Sequence, residues 1–408
     1  MIPYSRQLIE QDDIEAVVQV LRSDFLTQGP ATEAFESSLT TYTGARYAVL
    51  FSSGTAALHA AYFTAGIAKG DEVITSPITF AATSNAALYL GATPVFVDVE
   101  PDTGNMDAER IEQAVTPRTK AIVPVHYAGH PVDLETVSRI AKRHGLTVIE
   151  DACHALGAEY KTMGSRVKGQ GSSQEPRPGQ ETSDDWIKIG SCTHSDMTVL
   201  SFHPVKHIAA GEGGAVLTNR RDYHEKLCLF RAHGITKDPS KFEINNSNSD
   251  GDWYYEMQHL GFNYRMSDIH AALGMSQLRK IDRFVSRRRE IARRYASAFA
   301  GNSWFTTPPE RSYVRSSYHL YPIRLSNGYS QKRSRVFSTL RDLGIGVQVH
   351  YIPVYLQPYY RQMGYRQDSC PSAADFYQRE ISIPVHPAMD DAAAKTVIEA
   401  IERAFTST

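Results

Sequence analysis

Lys206 lies in the stretch Ser201–Thr218, SFHPVKHIAAGEGGAVLT, between two apolar runs. No acidic residue follows it before Glu212, and Gly211, Gly213 and Gly214 close the loop. A lysine that acts as an amine must be held in place and kept from its solvated, charged state. The same stretch also reads as a hairpin with an incidental surface lysine. Other groups of comparable interest precede it. Ser53-Gly54-Thr55 follows the apolar run Tyr47–Phe51 and opens a helix. A glycine at a helix N-terminus, with free N–H groups and a hydroxyl, can cradle a phosphate. Ser and Thr are also ordinary N-caps. Phe80, just past another apolar run, is either a core aromatic or a ring that stacks on a planar ligand.

Glu150 and Asp151 end a β-branched run in VIEDACHALGAEY. A carboxylate at a buried strand end needs a partner. Asp151 could hold the proton of a ring nitrogen, and His154 could lie against the same ring. The alternatives are a helix N-cap and a core histidine. Ser201 could complete a phosphate site. Phosphate cradle, stacking ring, carboxylate, hydroxyl and lysine therefore appear in chain order at successive strand ends. That set is what pyridoxal 5'-phosphate requires: a lysine for its aldehyde, an acid for its ring nitrogen and a helix terminus for its phosphate.

The elements that must position these residues alternate. Strands are expected at Tyr47–Phe51, Glu72–Thr75, Thr93–Val99, Lys120–Val125, Thr147–Glu150, Met197–Phe202 and Gly214–Thr218, with helices between them at 56–65, 81–90, 106–115 and 134–144. Strands separated by helices imply right-handed crossovers and a mainly parallel sheet of seven strands, with ligands beyond the strand carboxyl ends. Residues 1–30 read as an N-terminal segment near the site, 31–281 as a large domain, and 282–408 as a bridging helix with a smaller α+β domain. Strands 318–325, 346–351 and 381–384 and helices 331–343 and 390–405 are expected in the latter. Residues 161–190, rich in Gly, Ser, Gln, Pro and charge, read as a polar insertion.

Composition excludes other classes. The 408 residues are 42% hydrophobic and 22% charged, with a formal net charge of -2. That is ordinary globular usage, with no electrostatic footprint for nucleic acid or an anionic membrane. Four cysteines without CxxC spacing suit neither a disulfide scaffold nor a metal site, and no metal is expected. With no signal-like N-terminus and no long apolar run, a cytoplasmic protein is expected.

SSGTAALHAA, SPITFAATSNAALYLGATPVFVDV, RTKAIVPVHYAG, IEDACHALGAEY, SFHPVKHIAAGEGGAVLTN, GFNYRMSDIHAALGMSQL and VHYIPVY span nearly the whole chain. In these segments it resembles the DegT/DnrJ/EryC1/StrS family of sugar-nucleotide aminotransferases, which have the fold-type I pyridoxal-phosphate architecture. The resemblance implies Lys206 as the Schiff-base lysine, Asp151 at the pyridine nitrogen, Phe80 against the ring, and Gly54, Thr55 and Ser201 at the phosphate. It implies a homodimer in which Asn263 reaches the other subunit's cofactor. It implies sugar-nucleotide contacts from Tyr4, Asp24, Phe25, Leu26, Thr27, Tyr318, His319, Leu320 and Tyr321. IPYSRQ, DFLTQGP and SSYHLYPIRL resemble the branch serving pseudaminic-acid biosynthesis. That implies transfer from L-glutamate to C4 of a UDP-linked 4-keto-6-deoxy-N-acetylhexosamine. A D-gluco or dTDP sugar is the alternative, as is a non-catalytic sensor that merely binds the cofactor.

Overall fold

A computed structural model describes residues 1–162, 186–244 and 251–406. Its strands run β1 (Tyr47–Phe51), β2 (Glu72–Thr75), β3 (Thr93–Phe96), β4 (Thr119–Val123), β5 (Thr147–Asp151), β6 (Glu159–Tyr160), β7 (Ile187–Lys188), β8 (Met197–Ser201) and β9 (Gly214–Thr218). Seven of them form the main sheet in the order β1-β9-β8-β5-β4-β2-β3. Only β9 runs against the rest, antiparallel to both β8 and β1. β2, β5, β8 and β9 are buried at nearly every position, because helices cover both faces of the sheet, and this explains their near-continuous apolar character.

The order matters for the site. β5 and β8 are parallel neighbours, with Asp151 paired to Val199, so Asp151 and Ser201 leave the sheet at the same edge. Ser201 pairs across to Gly214 on β9, whose own register partner on β1 is Phe51, just before Ser53. Any side chain at Gly214 would strike Ser53 O at 2.6 Å and Gly54 N at 2.7 Å. The glycine run thus serves close backbone approach between β9 and the start of the helix Gly54–Thr64.

The helix Ile281–Ala298 leads into a second core. There Phe305–Thr306, Tyr321–Leu325 and Glu380–Ile383 form a three-stranded antiparallel sheet, covered by helices Arg333–Asp342 and Asp391–Thr406. The N-terminal residues bind this unit and the lysine loop together. Ile2 N donates to Gly344 O at 2.8 Å, and Ser5 Oγ donates to Val205 O at 2.9 Å.

Four local expectations are corrected. The helix expected over 106–115 is a 3-10 helix, Ala108–Ala114. The strand expected from Tyr318 begins at Tyr321, because the preceding backbone bonds back to the loop after β4: Ser317 N reaches Gly129 O and Leu320 N reaches Ala128 O. Residues 346–351 form no strand beyond a single bridge at Gln348, since Gly346 N is taken by Ile2 O. The expected 161–190 insertion lies mostly outside the described residues; at its end Ile187–Lys188 pairs with Glu159–Tyr160, and Ile189 is fully buried. Among the described residues no helix is long and apolar enough to cross a membrane.

Candidate active site

A cavity of about 400 Å³ opens at the carboxyl ends of β1, β5 and β8. Ser53, Gly54, Thr55, Phe80, Asp151, His154, Ser201, Lys206 and Tyr4 all line it. Residues more than 150 positions apart in the sequence thus share one wall because parallel strands end side by side.

Asp151 and Glu150 point to opposite sides of β5, as strand alternation requires. Glu150 is turned away from the cavity, where it accepts hydrogen bonds from Thr198 Oγ1 at 2.9 Å and Ser195 Oγ and pairs with His126 Nε2 at 2.9 Å. Asp151 faces the cavity. One carboxylate oxygen accepts Thr83 Oγ1 at 2.6 Å and the other accepts Cys153 N at 3.1 Å. The bond to Cys153 closes a local turn, and no helix follows, so the N-cap alternative is out. Thr83 has one proton and gives it to Asp151; its contact of 2.7 Å with Thr79 Oγ1 is therefore donated by Thr79. This hydroxyl chain ties the Phe80 turn to the carboxylate.

Phe80 is 62% exposed, which removes the core-aromatic alternative. A large ring left bare on a cavity wall offers a face for stacking. His154 is buried, with Nε2 3.0 Å from the Tyr351 hydroxyl. Burial, and then the Lys206 charge, hold its pKa well below the ordinary histidine value, so its ring is neutral.

Ser53 caps the helix Gly54–Thr64, its side chain accepting from Ala56 N at 3.1 Å. The Gly54 and Thr55 amides fall outside the helical ladder and have no acceptor among the described residues. A side chain at Gly54 would sit 3.0 Å from Ser201 Cβ and 3.2 Å from its Oγ, filling the gap between the helix end and β8. That gap, with two free amides and two hydroxyls, suits a phosphate.

Lys206 makes no side-chain hydrogen bond or ion pair among the described residues. Burial lowers its pKa, and the Cys153 and Asp151 groups only partly offset this. A half-buried amine with no carboxylate hydrogen-bonded to it among the described residues costs free energy unless a ligand uses it. The residues present therefore fit pyridoxal phosphate in donor chemistry: a free amine, an anchored carboxylate, a bare aromatic face and an anion cradle.

The family model for the DegT/DnrJ/EryC1/StrS aminotransferases matches residues 7–402. The chain belongs to this family. It is 39% identical over 98% of its length, and 96% of the relative's, to the spore coat polysaccharide biosynthesis protein SpsC of Bacillus subtilis. It is 38% identical over 97% of its length, and 96% of the relative's, to a UDP-4-amino-4,6-dideoxy-N-acetyl-beta-L-altrosamine transaminase of Campylobacter jejuni. Among solved structures it resembles PseC of Helicobacter pylori, an aminotransferase of pseudaminic-acid biosynthesis, with 34% identity, TM-score 0.86 and full coverage of both chains. The fold is accordingly the fold-type I transferase of a pyridoxal-phosphate-dependent sugar aminotransferase.

Not all expected residues of this aminotransferase reach the cavity. Asp24, Phe25, Leu26 and Thr27 are exposed on a surface loop, and Asn263 is exposed beside Ala232. None lines the cavity of this chain. Tyr318, His319, Leu320 and Tyr321 do not line it either. Tyr321 is 1% exposed, packed in the small-domain core, and Leu320 is buried beside Tyr127. His319 is buried against His154, with ring centroids 4.2 Å apart, and Tyr318 lies half-buried beside Tyr321. Backbone bonds to Ala128 and Gly129 and the burial of the strand Tyr321–Leu325 in the small-domain core turn these residues inward, which the motif match does not reveal.

Several cavity residues escaped the sequence reading: Thr83, Cys153, Glu212, His350 and Tyr351. Thr83 carried a local signal, since it stands three residues after Phe80 in the first turn of the following helix. His350 and Tyr351 carried none, because they arrive from the small domain. A Thr83→Val enzyme is expected to lose roughly 10- to 100-fold in kcat, the value of one hydrogen bond to a charged group. An unchanged kcat for the purified variant would remove Thr83 from the Asp151 assembly.

Proposed function

We propose that this enzyme transfers an amino group from L-glutamate to C4 of UDP-2-acetamido-2,6-dideoxy-β-L-arabino-hex-4-ulose. The product is UDP-4-amino-4,6-dideoxy-N-acetyl-β-L-altrosamine, for pseudaminic-acid biosynthesis in the cytoplasm. The amino-transfer chemistry is carried by one observation, the Lys206 amine that is unpaired among the described residues and faces the anchored Asp151. The choice of sugar is supported by the near-full-length likeness to transaminases of that name.

Bound pyridoxal phosphate supplies an electron sink and a temporary carrier for the amino group. Asp151, an acceptor fixed by Thr83 and Cys153 N, holds the proton on the ring nitrogen. Phe80 would lie against the ring, and the helix end at Gly54–Thr55 with Ser201 would hold the phosphate. Lys206 Nζ, whose pKa burial lowers toward the free-amine form, removes the proton from the α-carbon of glutamate. In the sugar half-reaction the same nitrogen returns a proton to C4. His154 and Tyr351 close the far side and limit water.

The assembly is read as a homodimer in which Asn263 reaches the partner's cofactor and the Asp24–Thr27 loop meets the partner's substrate. The exposed apolar residues Trp253, Met257 and Leu260 beside Asn263 support this, because an isolated chain rarely leaves such a face bare.

The test is product analysis by NMR with L-glutamate and purified UDP-4-keto-6-deoxy-N-acetylhexosamines of both C5 configurations. The expected product comes from the L-arabino substrate. Amination of the D-gluco epimer alone would reassign the enzyme to another nucleotide-sugar 4-amination, a reading that the likeness to SpsC keeps in view.

A further inference from the structure

His350 lies on the wall shared by the Lys206 cavity and an adjoining cleft of about 340 Å³. Its ring is held from behind. Nδ1 lies 2.9 Å from Ser382 Oγ, Ser382 in turn bonds one carboxyl oxygen of Glu380, and the other oxygen accepts the His350 amide at 2.8 Å. Glu380 and Ser382 are fully buried and share one face of their strand, two positions apart. His350 Nε2 has no partner among the described residues and is not sealed from solvent, so it opens onto the cavity.

Ser382 has one proton, so the chain of bonds has only two orders. With Glu380 ionised, Ser382 donates to Glu380, Nδ1–H donates to Ser382, and Nε2 presents a lone pair. With Glu380 protonated, each bond reverses and Nε2 presents an N–H. We propose that Glu380, Ser382 and His350 form a relay that decides whether the sugar substrate meets a donor or an acceptor at His350 Nε2. His350 is the contact, and Glu380 and Ser382 position it. The inference rests on the sugar-aminotransferase reading above. The cleft itself favours the sugar over the amino donor: Tyr4, Gln348, Tyr351 and Gln357 line it, with no Lys, Arg, Asp or Glu among the described residues of its wall. Amides, hydroxyls and aromatic faces suit a neutral hydroxylated ring, whereas a dicarboxylate needs cations.

Burial raises Glu380 to about 8. The groups that bear on it are Arg333, which favours ionisation, and the Tyr127 and Tyr351 hydroxyls, both pushed far up by burial; Arg324 stands opposite in strand register. His350 itself faces Lys206 and Tyr4 and is held down to about 3, chiefly by burial, so its ring stays neutral throughout. Below the changeover Glu380 carries the proton and Nε2–H faces the sugar, whose keto and ring oxygens can only accept. Above it, a lone pair faces them.

The two half-reactions of the holoenzyme, with L-glutamate and with the keto sugar nucleotide, are measured separately across this pH range. The wild-type sugar KM is expected to rise roughly tenfold as pH passes above the changeover. E380Q and S382A are expected to flatten that profile. H350F is expected to raise the sugar KM at every pH, and H350Q, whose amide reaches the place of Nε2, to recover part of the loss. Ring-nitrogen NMR of His350 reads the same reversal without turnover. A pH profile that survives in E380Q and S382A overturns the relay, as does an unchanged sugar KM in H350F or an equal loss in both half-reactions. If H350F does not fold, H350Q and S382A carry the same decision. Failure of the function reading looks different: the wild-type enzyme itself would then aminate no sugar nucleotide.

Discussion

Lys206→Ala is expected to leave a folded protein whose amino transfer falls by roughly four or more orders of magnitude. The amine is the only base proposed for the α-carbon proton, and neither His154 nor Cys153 is a ready substitute. His154 is held neutral well below its ordinary range, and Cys153 is pushed far above its own by burial, so its thiol stays protonated. A second readout separates chemistry from structure. After borohydride reduction of the loaded wild-type enzyme, mass spectrometry should find the cofactor mass on the peptide containing Lys206, and the variant should carry none. A third concerns stability. The Lys206 amine is partly desolvated and has no hydrogen-bond or ion-pair partner among the described residues, so removing it should leave the Tm of the cofactor-free protein equal or higher. Full activity, or the cofactor mass on another lysine, would overturn the assignment.

Asp151→Asn is expected to lower kcat by on the order of 10²- to 10⁴-fold while leaving the fold intact. Asparagine keeps the shape and can still accept from Thr83 or Cys153 N, but it carries no charge to hold a proton on a ring nitrogen. The electron sink weakens, and both half-reactions should slow together, unlike the sugar-selective effect expected at His350. The absorbance of the bound cofactor should shift, since the protonation state of its ring changes. An unchanged rate with an unchanged spectrum would show that another group does this work. Thr83→Val is expected to move in the same direction by less, because it loosens the carboxylate without removing it.

The likeness between these variants explains how much of the site could be read from the chain. Lys206, Asp151, Ser201 and the Gly54 turn each stand at the end of an apolar run, and a parallel sheet with ligands at its carboxyl edge brings such residues together whatever the loop details. The lining by Lys206, Asp151, Phe80 and Gly54 is what that reasoning expects. It could not separate Glu150 from Asp151, because which of two adjacent carboxylates faces the ligand depends on which face of β5 looks at the cavity. Nor could it show that Ser53 uses its hydroxyl as a helix cap, or that Phe80 is bare rather than buried.

The small domain was the least legible part. The stretch around Tyr318–Tyr321 carried the expected substrate contacts, yet Tyr321 is sealed in the second core. Residues 346–351 looked like a strand and are instead an irregular segment held by the N-terminal Ile2 and by Glu380, and this irregularity is what turns His350 and Tyr351 toward the cavity.

The sequence by itself determined the parallel sheet, the strand-end lysine and carboxylate, and the family. Those depend on periodicity and on residue type at chain positions, which are local properties. Only the tertiary structure decided three things: that Lys206 has no ion-pair partner among the described residues, that Thr83 and Cys153 N anchor Asp151, and that a buried Glu380 stands behind His350. Each is a relation between residues brought together by sheet order and domain packing. Whether a charge is paired, or a hydroxyl has an acceptor, is a property of the folded chain.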